Sequence, residues 1–573
     1  MGYRETYEQW LKDFADDEAL VKELTAISGD EKEVEDRFYR GLEFGTAGMR
    51  GVLGYGTNRM NEYNVRRATK ALAKYIERMG GKERGVVIAY DSRRCSDSFA
   101  KEAALVLAAN GVKAYLYESL RPVPVLSFSV RHLKAIAGIV ITASHNPKQY
   151  NGYKVYWEDG GQMPPERAGE ITKLIDETTY AESTAMCEKE ALDKGLLQII
   201  GKEVDDAYIA FVHTLCVNPD LAREMGKTIK LVYTPLHGSG NIPVRRILKE
   251  IGFENVYVVK EQELPDGEFP TVKVPNPEDS SAFDLALKLQ KEVGADLCFG
   301  TDPDCDRVGI ACLNKKGELR MMNGNQIGCL LLHYILSQRK EKGTLPENAA
   351  AVKSIVSTEM ARTIAADYGC AMIDVLTGFK FIAEQIEKFT TTGEHTFMFG
   401  FEESYGFLSG TEVRDKDGVN ACMLIAEAAA WYKKQGMTLS EGLDMLYEKY
   451  GYYGEKVQSF VLSGKDGLEK MQVIMKTLRE NPPKDFAGIG ITAVRDYQTS
   501  VRTAADGTTE PITLPKSNVL YYEMEGGAWI CVRPSGTEPK IKLYVNAVSD
   551  SAEKTQSILN ASADAAVKLL ESI

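Results

Sequence analysis

Gly138-Ile-Val-Ile-Thr142 runs directly into Ala143-Ser-His-Asn-Pro147. The first five residues carry no charge and four of them are β-branched, the pattern of a strand buried on both faces. In α/β folds, ligands gather beyond the carboxyl ends of such strands. Pro147 biases Asn146 towards an extended backbone and stops a helix from forming, and Asn151-Gly152 marks a further turn. Ser144 therefore stands on a constrained loop with His145 beside it and Lys148 and Lys154 close by. A serine hydroxyl is a weak nucleophile until a base or cation activates it. The plain alternative is a Ser/Asn-rich turn.

Outward from this strand, apolar runs alternate with amphipathic stretches over three quarters of the chain. Strands are predicted at Gly85–Tyr90, Ala135–Thr142, Ile229–Thr234 and Ala295–Gly300, and helices at Val65–Met79, Ser98–Ala109 and Ser281–Val293. Such alternation implies α/β units with parallel or mixed sheets. The last quarter differs. Trp529–Arg533 and Lys540–Val545 read as two strands joined by a short loop, and a helix over Ser551–Ser572 closes a smaller α+β module. With 573 residues and roughly 150 residues per domain, about four domains are expected. Junctions are predicted near residues 203, 323 and 452, giving domains 1–202, 203–323, 324–452 and 453–573.

Composition excludes several classes. Hydrophobic residues make up 44% and charged residues 26%, ordinary for a soluble globular protein. No run reaches the ~18 apolar residues of a membrane span, and the N-terminus has no apolar secretory core. Gly2 and Thr6 fit a loose myristoylation pattern, but acidic residues follow where a basic patch would be needed. No membrane partner is expected. A net charge of −13 argues against nucleic acid, yet leaves room for a small anion held by a local cationic cluster. Ten scattered cysteines without a C-x-x-C pair read as free thiols in the cytoplasm.

Three further loops carry chemistry. In Gly300-Thr-Asp-Pro-Asp-Cys-Asp-Arg307, Asp302, Asp304 and Asp306 fall at every second position, which in an extended loop crowds three carboxylates on one side. That is unfavourable without a cation. An EF-hand fails, because Arg307 replaces the turn glycine, Leu313 replaces the last Glu, and the flanks read as strands. Phe399-Gly-Phe-Glu-Glu-Ser-Tyr-Gly406 offers Glu402 and Ser404 to sugar hydroxyls. Arg533-Pro-Ser-Gly-Thr-Glu-Pro-Lys540 gathers a guanidinium, two hydroxyls and a glycine, the parts of a phosphate cradle.

Together and in this order, the four loops resemble those of the α-D-phosphohexomutase family, from about residue 40 to the C-terminus. The resemblance implies four domains around a central cleft: three mixed-sheet α/β domains with the phosphoserine, metal-binding and sugar-binding loops, then a C-terminal α+β domain with the phosphate-binding loop. It implies a phosphate carried on Ser144, and Mg²⁺ held by Asp302, Asp304, Asp306 and a phosphoserine oxygen. Glu402 and Ser404 would grip the sugar, and Arg533, Ser535, Gly536 and Thr537 the non-reacting phosphate. Arg50 in Gly45-Thr-Ala-Gly-Met-Arg-Gly51, Lys154 and Arg307 also match, as do Gly378, Phe379 and Lys380 of Leu376–Lys380, the family's specificity loop. Lys154 and Lys380 are the candidate acid and base, with His145 beside the carrier serine. The implied reaction interconverts glucose 1-phosphate and glucose 6-phosphate, with glucose 1,6-bisphosphate as intermediate and activator. Ala47 stands where many members have Asp, which is similar to the branch of bacterial α-phosphoglucomutases, phosphopentomutases and glucose-1,6-bisphosphate synthases. Phosphomannomutase, phosphopentomutase and bisphosphate synthase are the rivals within the class. A non-catalytic sugar-phosphate-binding protein and a metal-dependent phosphatase are the rivals outside it.

Overall fold

The structure is a computed structural model that describes residues 2–45, 48–462, 466–535 and 540–573. Gly536 and Thr537 of the predicted phosphate cradle, and the Ala47 substitution, lie outside the described residues.

The chain opens with three short helices, Tyr3–Asp13, Glu18–Ala26 and Glu31–Phe38. Asp17 and Asp30 cap the second and third by accepting backbone N–H groups. The helices bury Tyr7, Trp10, Leu20, Leu24, Val34 and Phe38 in a cluster that also touches Tyr55, Tyr63 and Tyr180 of the next unit.

Four sheets follow. In the first, the strands run in the order Gly48–Val52, Tyr150–Trp157, Ala137–Ile141, Val86–Tyr90, Ala114–Tyr117, Leu197–Ile200. The first two joins are antiparallel and the rest parallel. Every residue of Ala137–Ile141 is buried, as its uncharged sequence requires. The second sheet orders Leu319–Met322, Val308–Leu313, Leu297–Thr301, Lys230–Thr234 and Asn255–Val258. The third orders Ala371–Val375, Ala349–Ser354, Thr396–Glu402 and Gly406–Leu408. Both are mixed. The fourth is antiparallel throughout and starts Tyr452–Val461, Lys540–Ser549, Trp529–Pro534, Leu520–Met524. The helix Ala552–Ser572 packs on it through Leu559, Ala563, Ala566 and Leu570.

Predicted elements shift mainly at their caps. The helix expected at Val65–Met79 spans Glu62–Arg78, because the Asn61 side chain accepts the Asn64 N–H and starts it early. The one expected at Ser281–Val293 begins as a 3₁₀ turn, Ser280–Phe283, capped by Asp279, before the α-helix Asp284–Val293. Of the predicted junctions, residue 203 lies in the first turn of the helix Lys202–Thr214. Asn323 caps the helix Gly324–Glu341 through a capping box with Gln326, and Tyr452 follows Gly451 at φ +103°.

One hydrophobic core runs without a break from Val87 and Tyr117 of the first unit, through Tyr233 and Phe299 of the second, to Phe399 and Leu446 of the third. The fourth unit has its own core. It meets the third through a small cluster of Ile355, Val356 and Leu376 against Tyr497, Tyr521, Trp529 and Tyr544. No described helix is long and apolar enough to cross a membrane.

Candidate active site

Ser144 follows the buried strand Ala137–Ile141 in the left-handed region, at φ +51°, a conformation that costs a non-glycine residue free energy and must be held from outside. It is buried. Its Oγ lies 3.0 Å from His145 Nδ1 and 2.9 Å from Asp302 Oδ2. Burial, then the charges of Arg307 and Arg50, hold the His145 imidazole well below its ordinary value, so it is neutral at pH 7. Arg50 Nη1 donates to Asn146 Oδ1 at 3.1 Å.

Asp302 belongs to the turn between the antiparallel strands Leu297–Thr301 and Val308–Leu313. Its Oδ1 accepts the N–H groups of Asp306 and Arg307 at 3.1 and 3.0 Å, which folds the turn back on itself. Asp302, Asp304 and Asp306 are all buried, and each can offer an oxygen within 4.8 Å of the others. Lys154 Nζ donates to Asp304 Oδ2 at 2.9 Å, and Lys416 Nζ lies 3.1 Å from Asp306 Oδ2. Burial, then the neighbouring carboxylates, push Asp302 well above the ordinary carboxylate range and raise Asp306. Burial acts most strongly on Asp304 too, but Lys154, the hydrogen bond with Asp302 and Lys416 together outweigh it and hold Asp304 low. Asp304 Oδ1 and Asp306 Oδ1 are buried without a hydrogen-bond partner among the described residues. Hard oxygen donors, crowded and partly unsatisfied, fit a hard divalent cation, so the cluster could hold a metal ion.

Opposite stands the third unit. Glu402 ends the strand Thr396–Glu402, and its Oε1 accepts the Gly378 N–H at 2.7 Å. Gly378, at φ +125°, starts the helix Phe379–Thr392, and this bond ties the predicted specificity loop to the predicted sugar-binding loop. Burial, then the Glu403 charge, raise the Glu402 carboxyl. Burial lowers the Lys380 ammonium. Phe379 is buried in the core beneath Lys416, whose Nζ stands 5.5 Å from the ring centroid. Ser404 is half-buried. Arg307 pairs with Glu278.

The fourth unit supplies cations. Arg533 and Lys542 are paired across adjacent strands, and Arg533 Nη1 donates to Tyr544 Oη at 3.4 Å. The Ser535 N–H donates to Lys540 O at 2.8 Å. Arg533 and Lys542 act electrostatically on Glu403 of the third unit, so the C-terminal cations face the sugar-binding loop.

Residues 41–182, 206–316 and 323–450 match, in turn, the descriptions of alpha/beta/alpha domains I, II and III of phosphoglucomutase/phosphomannomutase, and residues 479–559 match its C-terminal domain. The chain belongs to the phosphoglucomutase/phosphomannomutase family. The phosphoglucomutase of Staphylococcus saprophyticus is 37% identical over 537 residues, 93% of this chain and 95% of that one. The phosphoglucomutase of Staphylococcus aureus MRSA252 is 38% identical over 541 residues, 94% and 95% of the two chains. In fold, the open form of the Paramecium phosphoglucomutase parafusin superposes with a TM-score of 0.68 at 16% identity, covering 93% and 95%.

Of the residues predicted from sequence, the structure brings Ser144, His145, Lys154, Asp302, Asp304 and Asp306 into one connected cluster. Gly378 and Glu402 meet each other, and Arg533 acts electrostatically on the neighbouring Glu403. Asp91, Arg93, Glu278, Lys416 and Lys542 were not predicted. Lys542 had a signal: it alternates with Lys540 on one face of a strand whose neighbour carries Arg533. Lys416, in the charged run Arg414-Asp-Lys-Asp417, reads in sequence as a solvated turn, yet it is buried.

Proposed function

We propose that this phosphohexomutase interconverts glucose 1-phosphate and glucose 6-phosphate, with Ser144 as the phosphoryl carrier. One observation carries the reading: Ser144 Oγ sits 2.9 Å from Asp302 Oδ2 at the edge of a buried carboxylate cluster. A serine hydroxyl beside a cation site is suited to holding a transferable phosphoryl group. The phosphoglucomutase names of the relatives favour glucose.

Glucose 1,6-bisphosphate primes Ser144. The sugar hydroxyl then forms a bond to phosphorus as the Oγ–P bond breaks, and the sugar's proton leaves to a base. The bisphosphosugar turns in the cleft, and its other phosphate returns to Ser144. Lys380, whose ammonium is disfavoured by burial, serves as base, and Lys154, paired to Asp304, serves as proton donor. His145, neutral, orients Oγ. Glu402 and Ser404 hold sugar hydroxyls beside Gly378, with the Phe379 ring packed in the core beneath, while Arg50 and Arg307 face the transferring phosphate. Arg533, Ser535, Gly536 and Thr537 hold the non-reacting one. Asp302, Asp304 and Asp306, with a phosphoserine oxygen, would hold Mg²⁺, which neutralises charge on the transferring group when bound. The four domains would be 1–202, 203–323, 324–452 and 453–573. Ten free cysteines suit a reducing cytoplasm.

The test is a comparison of glucose 1-phosphate, mannose 1-phosphate and ribose 1-phosphate, each with its bisphosphate and Mg²⁺. The expected result is the highest kcat/KM for glucose 1-phosphate. A higher value for either of the others overturns the substrate, and no turnover of any overturns the activity.

A further inference from the structure

The backbone groups of Ser144 are held by Thr142 and Arg93, and both of these rest against one buried side chain, Asp91. On one side, Asp91 Oδ2 accepts from Thr142 Oγ1 at 2.6 Å, and that same Oγ1 accepts the Ser144 N–H at 2.8 Å. On the other, Asp91 Oδ2 lies 3.4 Å from Arg93 Nε, and Arg93 Nη2 donates to Ser144 O at 2.6 Å. The guanidinium also takes up the carbonyls of Asn146, Pro147 and Tyr150, the last two at 3.1 Å. One planar fork thus collects four carbonyl oxygens of the serine loop. Asp91 is fixed in turn, because its Oδ1 accepts the Arg93 N–H at 2.9 Å and Ser96 Oγ at 2.8 Å.

The second unit closes over this arrangement. The Arg93 guanidinium stands 5.1 Å from the Phe269 ring centroid, and a Cβ on Gly267 would meet Arg94 N at 2.6 Å. Asp91 and Arg93 are 2% and 3% exposed, so neither can touch a sugar.

We infer that Asp91, Thr142 and Arg93 are positioning residues that hold Ser144 in its left-handed turn and aim Oγ at Asp302. The inference rests on Ser144 being the phosphoryl carrier. It adds that the loop's geometry is set from beneath, by the first and second units, and not by the substrate. A displacement of about 1 Å at a reacting atom costs about 100-fold in rate, so slackening this hold should act on kcat and leave KM alone.

Thr142→Val keeps the shape and removes the hydroxyl that joins Asp91 to Ser144. Its kcat should fall by about 10- to 100-fold with KM within about threefold, and Thr142→Ser should restore most of the loss. If Thr142→Val does not accumulate as folded protein, Asp91→Asn should show the same split. In parallel, wild type and Ser144→Ala are incubated with glucose 1,6-bisphosphate, and phosphate is located by mass spectrometry. Phosphate on Ser144 in the wild type, with a kcat for Thr142→Val or Asp91→Asn within about twofold of wild type, overturns the positioning role alone. Absence of phosphate from wild-type Ser144 overturns the carrier reading, and the inference with it. A fall in kcat that Thr142→Ser does not relieve also overturns the inference.

Discussion

Lys416 Nζ lies 3.1 Å from Asp306 Oδ2 and 2.9 Å from Asp415 Oδ1, so one buried ammonium from the third unit neutralises part of the carboxylate cluster of the second. The long loop that carries it makes the cation site a joint product of two units. Breaking a buried pair by removing one partner strands the other charge, at about 3–5 kcal/mol. Lys416→Met should therefore lower Tm, and added Mg²⁺ should raise Tm more in the variant than in the wild type. A variant melting at the wild-type temperature would show that the pair carries no net stability.

Chelation tests the cluster itself. With Asp304 Oδ1 and Asp306 Oδ1 unsatisfied among the described residues, excess EDTA should stop turnover and Mg²⁺ should restore it. Full activity in EDTA, with metal analysis finding none bound, would reject the cation site.

Arg533 should serve both directions. With Ser144 as the proposed carrier and the loop of Arg533 as the proposed cradle, glucose 1-phosphate and glucose 6-phosphate would present their non-reacting phosphates to the same cations in opposite orientations. A charge-assisted guanidinium–phosphate contact contributes about 1.5–3 kcal/mol. Arg533→Ala should lower kcat/KM by about 10- to 150-fold for each. Kinetics showing only one monophosphate impaired would contradict a shared cradle.

His333 predicts an acid limit unrelated to catalysis. Its Nδ1 lies 3.2 Å from Tyr432 Oη, and its ring is 5.9 Å from those of Tyr368 and Trp431. Burial, then the charge of Lys449, push it down from 6.5 to about 4. A lowered folded value means stability that is present above pH 6.5 and lost as pH falls towards 4, about 3 kcal/mol in all. His333→Gln should be less stable than wild type at pH 7.5, with the difference in Tm narrowing towards pH 4.5. Parallel profiles of Tm against pH would assign the acid loss to other groups.

The loops that could be read from the sequence were those whose chemistry is local. Asp302, Asp304 and Asp306 point to a candidate cation site because they are neighbours in one turn, and Ser144 stands out because its loop follows an uncharged buried strand. Groups that act across long sequence separations gave no such sign. Asp91 reaches Ser144 through Thr142 and Arg93, from another strand, and Lys416 reaches Asp306 from another unit. Glu278 reads as an ordinary acidic residue until Arg307 folds against it. Phe379 illustrates the converse: its place in the specificity loop suggested contact with sugar, whereas the helix it begins turns the ring into the core beneath Lys416. The alternation of strands and helices was legible over the first three quarters of the chain, while the helix starting at Glu62 was read three residues late because the Asn61 cap precedes its apolar pattern.

The unbroken core through the first three units bears on how this protein can be taken apart. A chimera that exchanged the second unit for a relative's would have to match apolar surfaces against two neighbours at once, and a mismatch at either would spread through Tyr233 and Phe299 into both. The fourth unit carries its own core and meets the third through the small cluster around Ile355 and Trp529 and through the start of its first strand, where Tyr452 and Tyr453 pack on the shared core. It is the part that could be transplanted, and a graft there would carry Arg533, the proposed phosphate contact, and leave the serine and the aspartates undisturbed.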